Sequence, residues 1–214
     1  MNPTTQFTPA EYHALLRLDF YAFIQRCFLQ LNPSQHFLPN WHIEVIAAKL
    51  EACRQGKIRR LIINVPPRHL KSICGSIALV AWILGHNPSA EVLCVSYAQD
   101  LSEKLARDFR TVMMSRWFRA LFGDLISTNR QSVQEFKTKC EGCRRATSIG
   151  GVLTGFTKTA VPIHAHRGGE PTNGGRHAIR LYQPRALGIQ RAGLTASLGV
   201  SVQCSQGGAP HASD

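Results

Sequence analysis

Lys71 and Ser72 stand side by side at the end of a short loop, Pro66-Pro67-Arg68-His69-Leu70. The loop follows a run of mostly β-branched residues, Leu61-Ile62-Ile63-Asn64-Val65, and precedes a long apolar stretch from Ile73 to Leu84. A lysine and a hydroxyl in that setting suit phosphate binding. The ammonium meets the β- and γ-phosphates, the hydroxyl holds Mg²⁺, and loop amides converge on the anion at the start of the next helix. The letters depart from the usual G-x-x-x-x-G-K followed by Ser or Thr, because Val65 and Leu70 occupy the glycine positions. Pro66 and Pro67 bring no N–H, so the cradle falls to Arg68, His69, Leu70, Lys71 and Ser72. A surface lysine at a helix start is the other reading of the same residues.

The elements that must position this loop can be read from periodicity. Thr8-Pro9-Ala10-Glu11 is a capping-box start, and apolar residues from Tyr12 to Leu31 recur at helical spacing, which predicts one long helix ending near Asn32-Pro33. A second helix is expected from Asn40 to Gly56, carrying Trp41, Val45, Ala48 and Ala52 with Ile43, Ile46 and Leu50 beside them. Leu61–Val65 reads as a buried strand, Ile73–Leu84 as an apolar helix closed by Gly85, and Val92-Leu93-Cys94-Val95-Ser96 as another buried strand. Asp100 to about Arg116 is helical, with Leu101, Leu105, Phe109 and Val112 on one face. Residues 132–149 form a hairpin that turns at Cys140-Glu141-Gly142-Cys143. The order is that of an α/β unit whose parallel sheet is begun and not finished.

The stretch LPNWHIEVIAAKLEACRQGKIRRLIINVPPRHLKS resembles the nucleotide-binding start of phage terminase large subunits, the ATPases of DNA-packaging motors, some of which carry a Pro-Pro-Arg phosphate loop. VLCVSYAQDLSEKLARDFR is similar to the strand and helix that follow in that family, and RRATSIGGVLTG to the strand and Gly-rich loop before its Walker B strand. The likeness runs collinearly over about residues 10–155. The tail over 156–214, with nine glycines, two acids and no lasting period, reads from its own composition as poorly structured. The resemblance implies a P-loop NTPase fold of RecA/ASCE type with an N-terminal helical segment over 1–58 and a partial ATPase core over 59–155. It implies ATP and Mg²⁺ as ligands, Lys71 on the phosphates, Ser72 on Mg²⁺, and Arg68 as a finger supplied in cis to the γ-phosphate. Trp41 and His42 fall where the family has its adenine-side segment, a Trp at a helix start being otherwise a core residue. Double-stranded DNA, the phage portal and the small terminase subunit are the partners implied, and ATP-driven packaging of viral DNA with cleavage of the concatemer is the function.

The departure from the family concerns its acids. There, an apolar strand ending in Asp and Glu soon follows the Gly-rich loop, organising Mg²⁺ and activating water. Here Gly155 is followed by FTKTAVPIHAHRGGE, and the acids after Glu141 are Glu170 and Asp214. The expectation is a truncated terminase without Walker B or nuclease motifs, which binds ATP and scarcely hydrolyses it.

Net charge is +12, with 19 basic and 11 acidic residues up to position 155, and this favours an acidic partner such as nucleic acid. Arg54-Lys57-Arg59-Arg60, Arg116-Arg119 and Lys137-Lys139-Arg144-Arg145 are the clusters available for DNA phosphates. A basic DNA-binding fragment, or the functionless product of a decayed prophage gene, are the alternatives. The longest apolar run, Ile77 to Leu84, is too short to span a bilayer, and no signal peptide is legible at the N-terminus, so the cytoplasm of a host bacterial cell is expected. The seven cysteines read as thiols, and a zinc site from Cys140, Cys143, His164 and His166 is disfavoured because the histidines are one residue apart.

Acids and periodicity fade together within a residue or two of Gly155. The hypothesis this motivates is a frameshift, with 156–214 translated out of frame. Translating the coding DNA in its other frames should reveal an apolar strand ending in Asp-Asp or Asp-Glu just past this point; its absence from every frame would sink the idea.

Overall fold

A computed structural model describes residues 7–66, 68–126 and 132–148 with their side chains, and 161–167, 177–182 and 202–204 through their backbone. The chain is mixed α/β. Six α-helices are described: α1 (Pro9–Leu18), α2 (Phe20–Leu31), α3 (Trp41–Arg54), α4 (Leu79–His86), α5 (Gln99–Met113) and α6 (Arg116–Phe122). Strands β1 (Arg60–Val65), β2 (Glu91–Ser96), β3 (Glu135–Lys137) and β4 (Cys143–Ser148) complete the well-packed part.

The expected first helix is two helices. Asp19 leaves the helical region at φ −110° and ψ 109°, and its carboxylate accepts from the N–H groups of Tyr21 and Ala22. An aspartate with that option competes with helix continuation, so it ends α1 and caps α2. The capping box at Thr8 and Glu11 forms as expected. Helix α3 starts at its Asn40 cap, but its buried face is Ile43, Ile46, Ala47, Leu50 and Cys53. Trp41 and Val45 lie on the outer side, contrary to the face expected from sequence.

Gly85 does not end its helix. Helix α4 runs on to His86, because a Cβ at Gly85 would come within 2.9 Å of the Phe122 ring; the glycine lets α6 approach rather than stopping the chain. The turn ahead of α4, Ile73–Ala78, is π-helical, a widening that periodicity did not announce.

β2 and β4 pair in parallel from Glu91↔Cys143 to Ser96↔Ser148, and β3 adds to β4 antiparallel, giving a small mixed three-stranded sheet in the order β3-β4-β2. The expected hairpin is therefore present, turning at residues 139–142 with Glu141 left-handed at φ 63°. Gly142 is required there, because a Cβ would fall 2.1 Å from the Pro88 carbonyl oxygen. Backbone pairing places β5 (Val161–Arg167) parallel to β2, and β6 (His177–Tyr182) and β7 (Val202–Cys204) antiparallel to β1. The rest of the tail expected over 156–214 lies outside the described residues, as does the Gly-rich stretch 149–155.

The core gathers around the π turn and α4, whose residues Cys74 to Leu84 are all buried. Trp82 sits at its centre: the ring lies 4.9 Å from Phe23 and 5.4 Å from Phe20, and its Nε1 donates to Glu51 at 2.9 Å. That hydrogen bond satisfies the one polar atom of the indole.

Replacing Asp19 by Ala leaves two helix-start amides unmet and should lower stability by about 1 kcal/mol. Denaturant unfolding of the variant, with an unchanged slope, is the check.

Candidate phosphate-binding loop

β1 is buried at Leu61, Ile63 and Val65, and it delivers the chain to the loop at its C-terminal end. The loop re-enters the core through Leu70, which packs partly against the apolar cluster and whose carbonyl accepts from Cys74 N–H at 2.9 Å as the helix begins. Arg68 and Leu70 are both left-handed, at φ 67° and 55°. For residues with a Cβ that costs about 1–2 kcal/mol each. Leu70 thus adopts at a glycine position the backbone that glycine would adopt freely. Left-handed residues in such turns are what aim successive N–H groups at one anion.

Lys71 is 7% exposed, and its Nζ lies 3.4 Å from the carbonyl oxygens of Val65 and Pro66, to which it donates. Among the described residues its ammonium has no carboxylate partner; the ion pairs found there are Arg54–Glu51, Lys104–Asp108, Arg107–Glu103, Lys139–Asp124 and Arg145–Glu135. Burial alone pulls Lys71 from an ordinary 10.5 down to about 8. Ser72 is half-buried with helical backbone angles, and its side chain makes no cap bond to the helix. Arg68 is exposed, and Pro67 lies outside the described residues.

The structure also brings the start of α3 to this loop. The His42 and His69 rings are 5.2 Å apart and tilted by 56°, and His42 is flanked by Trp41 at 6.3 Å. Trp41 is 69% exposed, so it is not a core residue. Sequence reasoning named both residues of α3 but missed their contact with His69, because no periodicity links a helix start to a loop 27 positions away.

The basic clusters fare differently. Arg144 is 2% exposed, with its guanidinium 4.9 Å over the Phe109 ring. It cannot belong to a DNA-contacting surface as the sequence suggested; alternation along β4 turns it inward while Arg145 faces out. Arg54 is paired with Glu51, and Lys139 and Arg145 with Asp124 and Glu135, which takes one charge of the first cluster and two of the third into ion pairs. Lys57, Arg59, Arg116 and Arg119 are exposed. Cys143 is buried and Cys140 exposed, and among the described residues no group of three or more His, Cys, Asp or Glu could hold a metal ion. The side chains of His164 and His166 lie outside that description.

The buried ammonium has a sign that can be tested. Between pH 8 and 10.5 the unfolded chain keeps a proton that the folded loop has released, so stability rises with pH across that window. In Lys71→Met this rise should disappear, as read from melting temperatures at pH 7.5, 8.5 and 9.5 for both proteins.

Set against known protein families and curated proteins, the chain matches no family model and no curated protein.

Proposed function

We propose that the chain is a nucleotide-binding protein of P-loop type, related to the N-terminal ATPase part of terminase large subunits, and that it binds Mg·ATP through residues 68–72. One observation carries the reading: a lysine with no acidic partner among the described residues is held out of water at the junction of a buried strand and a buried helix. A surface lysine at a helix start, the competing reading, would lie in solvent. Burial of an unpaired ammonium is costly, and a polyphosphate in this loop supplies the opposite charge. In that complex Lys71 leaves the Val65 and Pro66 carbonyls for the β- and γ-phosphates, Ser72 holds Mg²⁺, and Arg68 reaches the γ-phosphate from the exposed side of the loop. The exposed Trp41 offers an aromatic face for the base.

Turnover is a separate matter. Among the described residues, the parallel strands β2 and β4 end in Ser96 and Ser148, and no carboxylate stands at either C-terminal end. A water-activating acid is therefore not supplied from these strands, and hydrolysis should be negligible. Packaging of double-stranded DNA, with the portal and small terminase subunit as partners, is the ancestral role proposed. The basic DNA-binding alternative is weakened by the burial of Arg144 and the pairing of Arg54, Lys139 and Arg145.

A Mg·ATP titration of wild type and Lys71→Ala, with a parallel hydrolysis assay, tests this. Loss of one charge-assisted contact predicts affinity weakened by about 10- to 100-fold in the variant, with no turnover by either. Equal binding by both proteins would refute the phosphate-loop reading. Turnover that depends on Lys71 would refute the claim about the missing acid.

A further inference from the structure

We propose that His42 and His69 make nucleotide binding proton-coupled: a polyphosphate entering the loop draws a proton onto the pair, so affinity rises as pH falls through the histidine range. This rests on the phosphate-binding reading given above.

His69 belongs to the loop, two residues before Lys71, and is flanked by the left-handed Arg68 and Leu70. His42 belongs to α3, where the Asn40 side chain receives its backbone N–H and fixes the helix start. The two rings lie 5.2 Å apart, tilted by 56°, and join the helix start to the loop. Nε2 of His42 is shut off from solvent with no hydrogen-bond partner. A polar ring atom left this way favours a state in which it is used.

Charge then sets the direction. Burial, and the repulsion of a charged His69, hold His42 below its ordinary value. Among the described residues His69 is the one charged side chain acting on it, since its other ring neighbour, Trp41, carries no charge. The free site therefore disfavours protonation of His42. Several negative charges on a bound triphosphate reverse that preference, raising the histidine pKa in the complex. Below the free value the proton is already present, and above the bound value it is absent in both states. Uptake is confined to the window between them, where affinity climbs by up to about tenfold per pH unit. Lys71, at about 8, stays charged throughout the lower part of this range and does not mimic the effect.

The test is calorimetry of Mg·ATP binding at pH 6.5, under saturating Mg²⁺, in two buffers of different ionisation heat, which together give the protons taken up. Wild type, Lys71→Ala, His42→Asn and His69→Asn are compared. The expected result is binding dependent on Lys71, with a fractional proton taken up by wild type and less taken up by each histidine variant. Proton NMR of the free proteins adds a readout independent of nucleotide: in His69→Asn the His42 ring should titrate at higher pH than in wild type. Lys71-dependent binding without proton uptake, or with uptake intact in both histidine variants, overturns the inference and leaves the site standing. Absence of Lys71-dependent binding removes the site and the inference together. An unmoved His42 titration in His69→Asn removes the coupling between the rings.

Discussion

A helix that is apolar on every side can persist in water only if other elements cover all of it. The segment from Cys74 to Leu84 is such a helix, and the rest of this molecule is arranged around that demand. α2, α3 and α5 pack against it, and α6 closes over Gly85 with the ring of Phe122. Its N-terminal end cannot be covered in the same way, because the first amides of a helix need acceptors. The loop before it meets that need in part through the Leu70 carbonyl, and the lysine at the helix start is carried into the interior with it. The buried ammonium is thus a consequence of the helix being buried.

Much of this was legible in the residue pattern, for identifiable reasons. β-branched runs marked β1 and β2, and a capping box and an Asn cap marked the starts of α1 and α3. The loop's place between strand and helix followed from these. What stayed hidden depended on contacts between distant parts of the chain. Nothing local says that the Gly85 site faces Phe122, or that Arg144 rather than Arg145 points inward. Asp19 had a local signal, since a carboxylate inside an apolar helical run competes for backbone N–H groups, yet the apolar period continued across it. In the loop, Val65 and Leu70 both break the glycine pattern, yet Leu70 is left-handed while Val65 is an ordinary strand residue, a difference that the letters alone do not carry.

Two buried cations show opposite solutions to one problem. Lys71 is close to surrendering its proton, because burial has pulled it down to about 8. Arg144 has no such exit, because a guanidinium stays charged at any accessible pH. Its charge is met by the face of Phe109, while its Nε and one terminal nitrogen find no partner. The first is tolerable because the state can change; the second is a fixed burden on the sheet–helix layer.

The π turn between Ile73 and Ala78 has a consequence of phase. A π turn holds one residue more than an α turn would, and each helical residue advances the azimuth by about 100°. Removing a single residue from this stretch would let the helix relax to α pitch with α4 still gripped by its neighbours. A turn of either kind closes the same rotation, so Lys71 and Ser72 would keep their azimuth at the end of β1. Loss of one codon here would therefore be absorbed by the turn with the loop's aim retained, whereas the same loss in the regular turns of α4 would rotate everything before it by about 100°.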